Sequence, residues 1–189
     1  MKNSTISEPH AGIMTETALR PCGEVTLLVE IEDERWGTAD ALTDQLNEIA
    51  AAISNVLAEK KPELCVRARQ TATVMFSVDA QVQRLNREFR RQDKPTNVLS
   101  FPAPEGHRDD DGAVYLGDVI LGYETVATEA AGQTLTIEAH FTHLVVHGIL
   151  HLFGFDHMRD EEAAMMERLE TEILATLGIA DPYVEGAAE

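Results

Sequence analysis

Cysteine is scarce in this chain: Cys22 and Cys65 are the only two, and they lie far apart with no C-x-x-C pair. That excludes a disulfide framework and makes a reducing cytosol the simpler setting. No run approaches the roughly 18–20 apolar residues a membrane helix needs. The N-terminal stretch holds no apolar segment of signal-peptide length. A cytoplasmic protein without membrane contact is expected. Internal repeats and a second domain are also missing, and 189 residues suffice for one domain with its own core. Positive charge is short as well, with 15 Lys and Arg against 33 Asp and Glu and a net charge of −18. At face value that speaks against nucleic acid.

The basic residues are not spread evenly. Residues 60–94 hold nine of them, against only four acids (Glu63, Asp79, Glu88 and Asp93). An acidic protein with one basic island of this kind can still hold a phosphate backbone there. Several of these arginines are expected to be no more than solvated helix charges.

Residues 1–21 are polar and aperiodic, and read as a disordered tail ahead of a single domain over 22–189. Alternating Val25, Leu27, Val29 and Ile31 predict a strand over Val25 to Glu32. Leu42, Leu46, Ile49, Ile53, Val56 and Leu57 mark the core stripe of a helix from Ala39 to Lys60. Ala72 to Val78 reads as a second strand. Asp79 is placed to cap a short helix ending near Arg90, with Val82, Leu85 and Phe89 as its buried face. Beyond Pro95, Asn97 to Phe101 is a short strand stopped by Pro102, and Pro104 to Gly112 is a loop with the acidic run Asp109 to Asp111. Ala113 to Leu121 is a fourth strand, in which Gly117 suggests a bulge or a close backbone approach. Helices are expected over Tyr123 to Ala131, over Ile137 to Phe153 with Thr136 as N-cap, and over Asp160 to Leu177 with the stripe Met166, Leu169, Ile173 and Leu177.

The most informative stretch is His147-Gly-Ile-Leu-His151-Leu-Phe-Gly154-Phe-Asp156-His157. A helix turns about 100° and rises about 1.5 Å per residue. His147 and His151 therefore share one face, about one turn (~6 Å) apart, and their imidazoles can share one metal ion. Gly154 lets the chain leave the helix in the left-handed conformation and return His157 to the same ion. Three neutral imidazoles suit zinc and leave one coordination position open, which marks a catalytic site. Zinc peptidases use the same spacing with a glutamate base after the first histidine; here that position is Gly148. The metal cradle is present and the peptidase base is missing. His140 and His143 lie on the same helix face but outside the metal set, with roles behind the ligands, lining a cavity, or simply in the core. Arg90 is the candidate for binding phosphoryl oxygens, with Lys94 as a weaker phosphate contact. Asp118 and Asp156 are each open between orienting an imidazole and capping a turn.

Three blocks resemble the YbeY family of endoribonucleases. Leu85, Asn86, Phe89, Arg90 and Asp93 to Pro102 are similar to the family's arginine-bearing block. Leu116-Gly117-Asp118-Val119-Ile120 is similar to its L-G-D strand, and His147 to His157 to its H-G-x-L-H-L-x-G-[FY]-D-H signature. The resemblance covers about residues 24–183. It implies an α+β single domain with a small mixed four-stranded sheet packed with helices, and a zincin-like central metal-binding helix. It further implies a zinc-dependent, single-strand-specific endoribonuclease with one Zn2+ per chain. Such an enzyme matures ribosomal RNA, notably the 3′ end of the small-subunit (16S) RNA, and acts in ribosome quality control with the small subunit and its assembly factors. The resemblance makes His147, His151 and His157 the zinc ligands and Arg90 the functional arginine. Two rivals remain: a metal-dependent hydrolase of another bond, and a non-catalytic ribosome-assembly factor whose zinc is closed by a fourth protein ligand. Nothing in the residues sets an oligomeric state.

Overall fold

Alternating apolar positions and helical stripes translate directly into the elements of the computed structural model, which describes residues 24–62, 69–156 and 159–183. The expected tail over 1–21, both cysteines and His157 lie outside those residues. The strands are β1 (Val25–Ile31), β2 (Gln70–Ser77), β3 (Val98–Pro102) and β4 (Val114–Gly122). The helices are α1 (Ala39–Lys60), α2 (Asp79–Arg90), α3 (Tyr123–Gly132), α4 (Ile137–Leu152) and α5 (Asp160–Thr176). The sheet order is β1-β2-β4-β3, with β1, β2 and β4 parallel and β3 antiparallel along one edge. The α+β class, the single mixed sheet of four strands and the helix boundaries agree with the sequence reading to within one or two residues. Among the described residues no helix is long and apolar enough to cross a membrane.

One face of the sheet carries the main core. Val74, Phe76, Val119 and Leu121 from the strands meet Leu46, Ile49 and Ile53 of α1, Val145 and Ile149 of α4, and Ile173 of α5. Each of these ten side chains is fully buried, and burying one such side chain contributes roughly 1.5–3 kcal/mol. A short 3-10 turn, Glu34–Trp36, fastens the β1–α1 connection to this core. The Trp36 indole N–H donates to the Ser77 carbonyl at 2.8 Å, and its ring meets the edges of Phe76, Tyr123 and Phe141 at 5.1–5.9 Å. The sequence reading did not single out this turn.

Two local expectations for α2 are corrected. Asp79 does not cap its own helix, whose N-cap is Val78 with no side-chain bond. Its carboxylate instead caps α3, accepting from the Thr125 N–H at 3.1 Å and the Thr125 hydroxyl at 2.6 Å. Glu124 returns the contact by accepting the Asp79 N–H at 2.9 Å. The orphan donors at two helix starts are thus met across the gap between helices rather than within either one. Phe89 is not buried: it is 62% exposed. The apolar face of α2 meets only a small second cluster, Val82, Leu99 and Ile120. One turn on from Val82, the buried position belongs to Asn86, whose side-chain amide donates to the Lys94 carbonyl at 2.8 Å. A further turn on, Phe89 has run past that cluster and meets the Phe101 ring in an edge-on arrangement.

Two glycines set how closely the layers approach. Gly117 has φ +133°, and the register slips between Thr71 and Ala72 beside it, so both the bulge and the close approach expected there are present. A Cβ on Gly117 would strike the Phe101 carbonyl oxygen. Gly148 brings α4 onto the sheet: a Cβ there would lie 2.7 Å from Val119 Cγ1 and 3.0 Å from Ser100 Oγ. The Ser100 hydroxyl donates to the Gly148 carbonyl at 3.3 Å across the same contact.

Alanine at 148 would improve helix propensity by about 1 kcal/mol. Overpacking against a fully buried valine costs about 1–3 kcal/mol. The second effect wins, so Gly148→Ala is expected to lower stability in chemical denaturation, and Gly148→Glu to prevent stable folding rather than to create a peptidase. A Gly148→Ala protein as stable as wild type would show that α4 is free to lift off the sheet. At the α2–α3 junction, the Asp79 N–H and then the Arg35 guanidinium hold the Glu124 carboxyl below its ordinary value of 4.5. A depressed folded pKa gives stability that is present above about pH 4.5 and is lost as pH falls through the folded value. Glu124 is half-exposed, so Glu124→Gln is expected to cost only about 0.5 kcal/mol at pH 7. In urea titrations that gap should close as the pH is taken below 4.5.

Candidate metal centre and cleft

The 3.6-residue period sets His140, His143, His147 and His151 along one side of α4, while Gly148 faces the sheet. At the end of the helix the Gly154 N–H donates to the His151 carbonyl at 2.9 Å and the Phe155 N–H to the Leu150 carbonyl at 3.1 Å. With Gly154 at φ +92°, this is the Schellman closure the sequence led us to expect. The reversal turns the Phe155 carbonyl back onto the His151 ring, whose Nδ1 lies 2.9 Å away.

A buried carboxylate holds the other imidazole. Glu170 of α5 has no solvent exposure. Its Oε1 is 2.8 Å from His147 Nδ1, its Oε2 is 3.0 Å from His143 Nε2, and the Tyr183 hydroxyl donates to that same Oε2. Burial by itself pushes this carboxyl up, but the hydrogen bonds from His143, His147 and Tyr183 together outweigh it and hold the pKa at about 2. Burial and the adjoining Glu170 charge push the Tyr183 phenol the other way, far above its usual range. Glu170 was missed in the sequence reading. Its signal was there: one acid stands inside the apolar stripe, between Leu169 and Ile173.

These acceptors fix the tautomers. A carboxylate and a carbonyl only accept, so both Nδ1 atoms carry the proton and both Nε2 atoms present lone pairs. The two Nε2 atoms face each other at 3.1 Å. Two lone pairs so placed repel unless a cation lies between them. Two nitrogens bound tetrahedrally at 2.0–2.1 Å stand about 3.3 Å apart, so the donor set and its spacing fit zinc. Among the described residues no three metal-binding side chains converge, and His157, the third ligand of the sequence reading, lies outside them.

Beside His151 opens a cleft of about 390 Å³, lined among the described residues by Arg90, Ser100, Pro102, His151, Gly154, Phe155 and Asp156. Arg90 is exposed and, among the described residues, forms no ion pair; the neighbouring Arg87 is the residue that approaches Asp93, at 3.5 Å. The structure thus brings Arg90 and His151 to one hollow, with His147 behind His151 at 3.1 Å. Lys94 is exposed and held through its carbonyl by Asn86, and it does not line this hollow. Asp156 does line it. Asp118 serves neither of its two readings, since its carboxylate accepts the Tyr115 hydroxyl at 2.5 Å on the other face of the sheet. Burial, and then that bond, raise the phenol to about 12. His140 is buried against Glu129 at 2.8 Å, away from the metal pair.

The family model described as endoribonuclease YbeY matches residues 35–178. An endoribonuclease YbeY from Sinorhizobium medicae is 44% identical over 156 residues, covering 82% of this chain and 92% of that protein. One from Ruegeria pomeroyi is 43% identical, covering 84% and 98%, and one from Paramagnetospirillum magneticum is 56% identical over 60% of this chain and 71% of its own. The solution structure of TM1509 from Thermotoga maritima is similar in fold, with a TM-score of 0.50 at 23% identity over 82% of this chain and 91% of that one. With the family model spanning most of the folded region and relatives alike over nearly their whole length, this chain belongs to the YbeY family of endoribonucleases, which are RNA-cleaving hydrolases.

Proposed function

We propose that this protein is a zinc-dependent endoribonuclease that cleaves single-stranded RNA in the maturation of ribosomal RNA, including the 3′ end of the small-subunit RNA, and in ribosome quality control. The observation that carries the metal reading is the pair of Nε2 lone pairs held 3.1 Å apart, one of them on His151, which lines the Arg90 cleft. The ribosomal role rests on the family likeness. His147, His151 and His157 are the ligands in this reading. A bound zinc ion supplies Lewis acidity and a water acidified to near neutrality. The chain's own groups do the rest. Glu170 and the Phe155 carbonyl orient the two imidazoles and hold their Nε2 atoms toward one point. The Arg90 guanidinium offers a planar fork to two phosphoryl oxygens, where charge grows during cleavage. Lys94 adds positive charge to the approach. Gly148 gives the cleft no carboxylate at the peptidase position, because that side of the helix is packed against Val119.

The direct test is cleavage of a defined precursor ribosomal RNA, with ends mapped, with and without a chelator. Activity lost with the metal and restored by zinc at one ion per chain is the expected result. Glu170→Gln is expected to lower zinc affinity about 10–100-fold, read by competition with a chromophoric chelator. Unchanged affinity would reduce Glu170 to a packing residue.

Arg90→Ala is expected to slow cleavage roughly 10²-fold or more at unchanged zinc content. Arg90 is exposed, so stability should move by no more than about 0.5 kcal/mol. Arg90→Lys keeps the charge and loses the fork, so it should recover little. Full recovery in the lysine variant would point to simple charge attraction, and wild-type rates in the alanine variant to a surface arginine with no part in the reaction.

A further inference from the structure

Among the described residues Phe89 is the most exposed of the large apolar side chains, at 62%. Its ring meets Phe101 edge-on, with centroids 5.2 Å apart and planes at 66°. Phe101 is half-buried against the second cluster, so it braces Phe89 without covering it. A lone exposed phenylalanine needs no explanation. This one stands where three further facts meet. It is next in sequence to Arg90, which lines the cleft. Its partner Phe101 lies between Ser100 and Pro102, which line the same cleft from the other side of β3. Finally, residues 84–94 carry Arg84, Arg87, Arg90, Arg91 and Lys94 against only Glu88 and Asp93, on a chain whose net charge is −18.

Strand alternation explains the split. Ser100 and Pro102 point toward α4 and the histidines, while Leu99 and Phe101 point toward α2. β3 is an edge strand, so a ligand leaving the cleft over that edge reaches the Phe89–Phe101 pair directly. Just past Phe89, Arg91 closes α2 in the left-handed conformation at φ +58°, which ends the helix within two residues of the ring.

We propose that Phe89, braced by Phe101, is a base-stacking platform that receives an unpaired nucleotide of the RNA whose phosphate lies at Arg90. This rests on the RNA-cleavage reading and extends it to a base-binding position. The charge around the ring favours a polyanion over a protein partner. An exposed aromatic face within a basic surface is what single-stranded nucleic acid uses without regard to sequence, since every base has a π-face. A paired base has both faces stacked already, so the platform selects unpaired segments.

The test uses full-length zinc-loaded protein and fluorescein-labelled 2′-O-methyl oligoadenylate, which resists cleavage through the 2′ oxygen. An abasic oligomer of the same length and charge is the control. Wild type is expected to bind the adenine oligomer about tenfold tighter than the abasic one. Phe89→Ala should bring that ratio close to one while leaving the affinity for the abasic oligomer unchanged, and Phe89→Trp should keep or raise the ratio. Because Phe89 is exposed, the alanine variant is expected to melt like wild type, which separates a lost contact from a lost fold. On precursor RNA, Phe89→Ala should raise KM with little change in kcat. A base-to-abasic ratio equal in wild type and Phe89→Ala overturns the platform, even where RNA cleavage by both proteins stands. A wild-type protein that neither binds nor cleaves RNA overturns the platform together with the reading beneath it. Unchanged RNA binding with altered self-association of Phe89→Ala in ultracentrifugation would make the pair a protein contact and likewise overturn the proposal.

Discussion

The close approach of α4 to the sheet at Gly148 sets how the side chains of that helix are presented. Without a side chain there, the helix settles until its backbone rests on Val119 and Ser100. The side of α4 that bears His147 and His151 is then rotated toward α5 and the cleft. Zinc peptidases with the same histidine spacing place a working carboxylate after the first histidine; here a side chain in that place would press on Val119. The missing base is therefore a consequence of packing as much as of chemistry, and the site must draw its polar groups from other elements: Glu170 from α5, Arg90 from α2 and the Phe155 carbonyl from the turn.

Glu170 is the costliest of these groups to hold. A carboxylate with no solvent exposure loses several kcal/mol of hydration, and it persists as an anion only because three donors converge on its two oxygens. Removing one partner from such a set leaves a buried charge under-satisfied, which costs more than the same bond contributes at a surface. Its position is correspondingly rigid. That rigidity passes through the 2.8 Å contact to the His147 ring and so to the direction of its Nε2 lone pair. A negative charge behind an imidazole also raises its basicity as a ligand.

What could be read beforehand was whatever depends on neighbours in sequence. The helices followed from their stripes, the turn at Gly154 from helix-closing chemistry, and the shared face of His147 and His151 from the helical period. Arg90 lines the cleft, but Phe89 beside it, expected on the buried face of α2, is exposed. Burial depends on what stands opposite: Val82 of α2 clusters with Leu99 and Ile120, and Phe89, two turns on, lies beyond that cluster. Asp79 was misassigned for a similar reason. The local capping rule sees the helix that follows a residue, not the helix start that packs beside it, and Thr125 lies 46 residues away in sequence. Glu170 needed the same long-range knowledge, because an acid in an apolar stripe marks an unusual site without naming the histidines it will meet.

The segregation of charge makes RNA binding compatible with a net charge of −18. Screening limits the reach of exposed charges to about 8–10 Å at physiological salt, so a phosphate in the cleft responds to Arg90 and its neighbours on α2 far more than to the distant acids. The turn at Gly154 to Asp156 also borders a larger hollow of about 530 Å³, lined with Glu161, Glu162 and Asp156. That side repels phosphate, while the Arg90 side attracts it. In the proposed RNA-cleavage reading, a strand at the cleft is drawn toward the Arg90 side, away from Glu161 and Glu162, and over the edge of β3. Pro102, in that strand, has no N–H to offer a pairing strand. An edge strand is ordinarily a liability for sheet-to-sheet aggregation. With a proline in its backbone and arginines beside it, this edge disfavours a further strand and suits a polyanion, so in the proposed reading the feature that guards the fold also leaves the substrate's route open.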